Sequence, residues 1–349
     1  MWMRKKRKTG VKRCVAAAFL MAVFLTGCTS ERREQELVYR QAGIEAMQNA
    51  DYQGAVAAFD AALSCVLGTI GEVELDICYY KAAAQFAAGD AEGALATYDA
   101  LIGYDDKDAV AYYSRGCLYL QRYEGEKAFA DFASAVACDP NNYELYINIY
   151  QNLAAYNLIE EGKEYLNKAL EIKGDNAEKL TYRGELYLLL GEYEHAIGEL
   201  TAALEKGSRR ANLIMARVYD AQGDAASAEN YYKAYAQEGK ADSETMNALA
   251  ELEMAKLNYT AALDYVNQGL TMEKVTNRRE LMQNKIICLE YTADFNGAWQ
   301  AVQEYTALYP SDVEMQREYV FLKTRQGGTT QEEHIEAEVQ TVTEEAPQQ

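Results

Sequence analysis

Small and apolar residues recur along most of the chain with a helical beat. Gly116, Tyr119, Ala128, Phe132, Ala135 and Pro140 follow one another at intervals of three, nine, four, three and five residues. Side chains at i, i+4 and i+7 share one helix face. Gly116 and Tyr119 therefore mark a first helix and Ala128, Phe132 and Ala135 a second, with Pro140 just past its end, where proline is tolerated. Moved forward by 34 residues, the pattern returns as Tyr150, Leu153, Gly162, Leu166 and Ala169, and again as Gly184, Tyr187, Ala196, Leu200 and Ala203. Ala216, Tyr219, Ala228, Tyr232 and Tyr235 come two residues early. Ala250, Ala262, Val266 and Gly269 follow, then Ile286, Leu289, Ala298, Val302, Tyr305 and Pro310. Upstream, Ala82, Gly89, Ala94, Tyr98 and Leu101 form one unit, and Gly43, Tyr52, Ala55, Phe59 and Ala62 another, with five extra residues around 67–71 between them. Eight units thus cover residues 36–312, and no alternating strand pattern of useful length interrupts them.

These residues match positions 8, 11, 20, 24, 27 and 32 of the 34-residue tetratricopeptide repeat, and the chain resembles that family. The resemblance implies an all-α fold, a right-handed α-solenoid of about eight helix-turn-helix repeats. Small side chains at positions 8 and 20 let two backbones approach, while Tyr, Phe or Leu at 24 fills the space between them. One such pair cannot bury its apolar face alone, so the units must stack on their neighbours. Residues 313–326, with apolar Val313, Tyr319, Val320 and Leu322 among charges, are expected to form a capping helix. From 327 to 349 six glutamates and no Lys or Arg predict a disordered acidic tail.

The N-terminus follows a different pattern. Seven basic residues lie within positions 4–13, and Cys14 to Leu25 is an uncharged apolar run of twelve residues. A bilayer span needs about 20 apolar residues, so the run suits a signal peptide (1–27) better than a permanent anchor. It ends in Leu25, Thr26, Gly27 and Cys28, which resembles a bacterial lipobox: small residues expose the cleaved bond and the Cys28 thiol accepts a diacylglyceryl group. Residues 28–35 would be a lipidated tether or lead straight into the first helix. The resemblance implies an extracytoplasmic protein, lipid-anchored to the cell membrane, or to the outer membrane of an organism that has one.

Charge sharpens this. The chain carries 34 Lys+Arg and 54 Asp+Glu, a net charge of −20. Without the first 27 residues it carries 27 basic and 54 acidic side chains, or −27. Such a surface repels phosphate backbones, which excludes a nucleic-acid partner.

Candidate chemistry is sparse. With two histidines, His195 beside Glu192 and Glu194 and His334 in the tail, a Ser or Cys nucleophile lacks its usual partner. Cys65, Cys78, Cys117, Cys138 and Cys288 are odd in number and form no C-x-x-C pair, so neither a zinc site nor a disulfide framework is indicated. Cys65 and Cys78 are potential neighbours, but buried free thiols are the favoured reading. No catalytic residue, cofactor or metal is expected.

Tyrosine is abundant, with 28 copies against eight Phe. In the family the groove is lined by first-helix positions 2, 5, 9 and 12. Here these give Tyr79 and Phe86, Tyr113 and Leu120, Ile147 and Gln151, Thr181 and Glu185, Leu213 and Arg217, and Asn247 and Glu251. The earlier members are apolar and the later ones polar, which suits a protein or peptide with hydrophobic anchors and basic flanks. Packing between repeats is the alternative use of the same side chains. The Lys/Asn carboxylate clamp of chaperone-binding members is not reproduced. The expected function is a non-catalytic protein-interaction adaptor at the cell envelope; the alternative is a surface lipoprotein that stacks a glycan or wall polymer on its tyrosines.

Overall fold

The computed structural model describes residues 31–66, 68–237 and 241–325, which contain seventeen helices and no strand. Helix α1 covers 31–48 and α17 covers 313–325. Between them run α2 (Tyr52–Ser64), α3 (Glu72–Ala87), α4 (Ala91–Tyr104), α5 (Ala109–Gln121), α6 (Gly125–Cys138), α7 (Tyr143–Ala155), α8 (Ile159–Leu170) and α9 (Ala177–Leu190). They continue as α10 (Tyr193–Glu205), α11 (Arg210–Ala221), α12 (Ala225–Tyr235), α13 (Ser243–Ala255), α14 (Tyr259–Leu270), α15 (Arg278–Tyr291) and α16 (Phe295–Leu308). The lipobox residues Leu25, Thr26, Gly27 and Cys28 and the tail from 327 lie outside the described residues. Part of the expected tether is already helix: Arg33 in the first turn of α1 binds buried Glu36 at 2.7 Å and also buried Glu74 of α3. Those ion pairs hold residues 31–35 in the first helix, the second of the two readings the polar stretch allowed.

The sixteen helices before α17 form eight pairs, and the turn inside each pair is the same device. Ala50, Gly89, Tyr123, Asn157, Gly191, Gly223, Leu257 and Ala293 all have φ between 56° and 84°. At each, two backbone bonds close the helix end; in the third pair Tyr123 N–H donates to Leu120 O (3.0 Å) and Glu124 N–H to Tyr119 O (2.9 Å). This is the Schellman geometry, which satisfies carbonyls a helix end otherwise orphans. Left-handed backbone costs a residue with a Cβ about 1–2 kcal/mol, so Tyr123 and Leu257 occupy it against their own preference. Four of the second helices then start on an aspartate cap. Asp51, Asp90, Asp224 and Asp294 each accept a backbone N–H three residues on, at 2.9–3.1 Å.

Four of the pairs are zipped by size complementarity. A Cβ on Gly43 would stand 2.5 Å from the Phe59 ring, one on Gly116 2.8 Å from Phe132, and one on Gly184 2.5 Å from Leu200. The fourth pair inverts the rule. Tyr150 is the large residue on the first helix, and a Cβ on Gly162 of the second would lie 2.9 Å from it.

The described residues divide into two compact units, one up to Ala169 and one from Leu170. The first is filled by Phe59, Ile77, Phe132, Ile149, Leu153 and Leu166; the second by Leu186, Leu200, Ile214, Met215, Leu249 and Tyr305. In the second unit, Leu322 of α17 is buried beside Val302 and Tyr305. Asp312 accepts the Tyr305 hydroxyl at 2.6 Å and Arg279 at 2.7 Å, and caps α17 through Met315 N–H at 3.2 Å. The Tyr305 hydroxyl, then Arg279, hold the Asp312 carboxyl well below the usual range. Of the apolar residues expected inside α17, Tyr319 is half-buried against Trp299 (4.9 Å between rings), whereas Val313 and Val320 are 63% and 58% exposed.

A second acidic contact ties α17 to α15. Glu290 and Glu318 each bury an oxygen that has no hydrogen-bond partner while both are ionised. A proton shared between the two would supply the missing donor. Burial, then contact with Glu318, push the Glu290 carboxyl from 4.5 up to about 7. A carboxyl raised on folding stabilises fully below its unfolded value and ceases to do so as pH rises through its folded one. Amide exchange in α17, corrected for intrinsic rate, should therefore quicken as pH rises from about 4.5 to about 7 and level off above it. Glu318→Gln, which donates without a proton to lose, should flatten that dependence; an unchanged pH profile in the variant would refute the shared proton.

Candidate functional site on the first-helix face

The groove residues separate by burial. Leu120, Ile147 and Leu213 are buried, so these three serve packing rather than an open surface. Leu213 belongs to the cluster of Tyr232, Tyr235 and Met246. Phe86 is 40% exposed and Gln151 is exposed, while Tyr79, Tyr113 and Arg217 are half-buried.

In the first unit the two tyrosines are held across repeats. Tyr79 of α3 donates its hydroxyl to Asp108 at 2.5 Å, and the other oxygen of Asp108 caps α5 through Val110 and Ala111 N–H at 3.1 and 3.0 Å. Tyr113 of α5 accepts from Asn152 of α7 at 2.7 Å. Their rings lean on Tyr98 (6.5 Å between centroids) and Phe132 (6.1 Å). Burial, and for Tyr79 the Asp108 carboxylate, push both phenols far above their ordinary pKa. They stay protonated, as fixed contact surfaces rather than acids or bases.

The second unit presents a polar version of this face. Thr181 is buried, with its hydroxyl on Ala177 O and Ser208 Oγ. Glu185 accepts from Arg210 at 2.5 Å, Arg217 reaches Glu244 at 3.4 Å, and Asn247 accepts from Asn284 at 2.9 Å while donating to Glu251 at 2.7 Å. Sequence reasoning missed Asp108, Asn152 and Asn284. Asp108 was legible as a helix cap; the two asparagines lie 39 and 37 residues beyond the side chains they hold, outside the 34-residue register.

No reactive group stands among these residues. Cys65, Cys78, Cys117, Cys138 and Cys288 are free thiols, Cys65 and Cys78 included, but only Cys288 is buried. Burial pushes Cys117 and Cys288 up to about 11, far from the thiolate a nucleophile needs. His195 is exposed and contacts Glu192 at 2.9 Å. Among the described residues no group of three or more His, Cys, Asp and Glu is placed to hold a metal, and no helix is long and apolar enough to cross a membrane.

The sequence matches no protein-family model and no curated protein. Its fold does match solved structures. Yeast Tom70 is similar at a TM-score of 0.56 and 14% identity, over 81% of this chain and 57% of that one. The chain has the tetratricopeptide-repeat fold. A tetratricopeptide repeat protein from Parabacteroides merdae (TM-score 0.44, 16% identity, 83% of this chain and 99% of that one) and the APC/C hetero-tetramer Cut9-Hcn1 (0.46, 16%, 80% and 54%) are also similar. The chain spans just over half of the Cut9-Hcn1 and Tom70 chains. Within this fold, Tyr79 and Tyr113 are equivalent residues of successive repeats, which is why the same side chain recurs on the same face.

Proposed function

We propose that this tetratricopeptide-repeat chain is a non-catalytic protein-interaction scaffold, tethered to the bacterial cell envelope by a lipid on Cys28. The observation that carries the reading is the first-helix face of the first unit. Tyr79 and Tyr113 are fixed there by hydrogen bonds between repeats, beside exposed Phe86 and Gln151. A preorganised aromatic surface loses little side-chain entropy when a partner settles on it. A glycan would need hydroxyl partners, and those of Tyr79 and Tyr113 are already engaged. The acidic exterior favours a partner with basic flanks.

Two measurements test the parts separately. Phe86→Ala with Gln151→Ala should abolish capture of the partner from solubilised membranes by the full chain; captured proteins left unchanged while glycan binding disappears would defeat the scaffold reading. For the anchor, Cys28→Ser should move the protein from the membrane to the soluble fraction, and a variant still pelleting with membranes would rule the lipobox out.

A further inference from the structure

The repeat register breaks once within the first unit, and a cleft stands at the break. Ala62 of α2 and Leu101 of α4 are equivalent residues, yet they lie 39 residues apart, against 34 from Leu101 to Ala135. Beside the five extra residues, α2, α3 and α4 border a cleft of about 430 Å³. That volume falls in the range of small-ligand sites, about 300–1,000 Å³. Its walls are aliphatic or small: Leu63, Ile70, Leu75, Ala96, Ala100 and Leu101. Ile70 is 45% exposed, and Ala96 and Ala100 are exposed, so this apolar surface is open to solvent. The polar groups around it are already satisfied. Thr97 donates to Gln85 Oε1 at 2.7 Å, and Tyr104 donates to Ile70 O at 3.1 Å. Burial pushes the Cys78 thiol up, so it lines the cleft uncharged. The next cleft along, bordered by α4, α5 and α6, is lined instead by ion-paired side chains, Arg122 with Glu92 at 2.6 Å and Lys127 with Glu124 at 2.5 Å.

One cation stands in the apolar cleft. Lys81 of α3 is half-buried and bonds exposed Asp60 at 2.6 Å, which uses one of the three donors of its ammonium. We propose that this cleft binds the alkyl chain of a fatty carboxylate, with the headgroup held by Lys81. An apolar trough with a single cation matches an amphiphile that has one anionic end. A sugar or a peptide backbone would bury polar groups against walls that offer no partner. The cleft shares no residue with the scaffold surface of Tyr79, Phe86, Tyr113 and Gln151, so the two sites are tested apart.

Calorimetric titration of the full chain with alkyl carboxylates, below their micelle concentrations, tests this. Lengthening octanoate to decanoate should tighten binding, by up to about fourfold for each buried methylene. Decanol, which lacks the charge, should bind about fivefold more weakly than decanoate, and Lys81→Met should remove that difference. Ala100→Trp, at an exposed position of the wall, fills the trough and should abolish binding while helix content and unfolding midpoint stay unchanged. A further measurement needs no variant: decanoate should slow alkylation of Cys78 by iodoacetamide and leave Cys138, outside the cleft, at its own rate. Absence of binding overturns the proposal, as do decanoate bound equally well by Ala100→Trp, decanol bound as tightly as decanoate, or Cys78 and Cys138 protected alike.

Discussion

Phe132→Ala is expected to destabilise the first unit by about 3–5 kcal/mol, the range for removing a fully buried aromatic ring. The ring is completely enclosed. It meets Tyr113 at 6.1 Å and stands edge-on to Tyr165 at 6.4 Å, so it joins three helices, α5, α6 and α8. Deleting it leaves a void at the junction of two repeats, and in a repeat fold that interface term is shared by both neighbours. The opposite error has a smaller cost. Gly116→Val forces a side chain into the 2.8 Å gap before Phe132, for about 1–3 kcal/mol of overpacking. The two positions should couple: Gly116→Ala with Phe132→Val reproduces the Ala250/Val266 combination of the seventh pair, and should recover part of the loss of Phe132→Val alone. Urea unfolding midpoints of the single and double variants measure this. Strict additivity would mean that the pairing of sizes is not what holds the two helices together.

That pairing is also why the fold was legible. Gly43 with Phe59, Gly116 with Phe132 and Gly184 with Leu200 alternate small and large at fixed spacing, and such a pattern has one reading as a helix pair. The functional face was only half legible. Tyr79, Phe86, Tyr113 and Gln151 reach an accessible surface, whereas Leu120, Ile147 and Leu213 go inward. Both sets lie on the same stripe of the first helices, and their fate depends on how closely the next repeat approaches, which the pattern within one repeat does not encode. The turns failed to announce themselves for another reason. Tyr123 and Leu257 adopt left-handed backbone because the two hydrogen bonds of the turn outweigh the local preference of those residues. The exposed stripe of α17 was hidden by composition, since Val313 and Val320 read as core in a periodic pattern whether or not a partner helix is present.

Arg115→Met is the second change expected to be severe. Asp131 is buried on α6, and Arg115 of α5 grips both its oxygens, through Nε at 2.8 Å and Nη2 at 2.7 Å, while Nη1 extends to Asp99 at 2.6 Å. Removing the guanidinium strands an almost wholly buried carboxylate, for about 3–5 kcal/mol. Asp131→Leu in the same chain should return most of that loss, because a buried ion pair replaced on both sides by apolar groups is neutral or mildly favourable. The contact recurs 68 residues on as Arg183 with Glu199, at 2.7 Å, but there the carboxylate is a quarter exposed. Arg183→Met should therefore cost about 1 kcal/mol or less, as solvent takes over the freed charge. A double-mutant cycle at each site separates the contributions. Equal losses at the two sites would show that burial of the carboxylate does not set the size of the effect; the expected ranking places the ion pair of the third repeat among the contacts that fix its helices in register, and that of the fifth among those that merely decorate it.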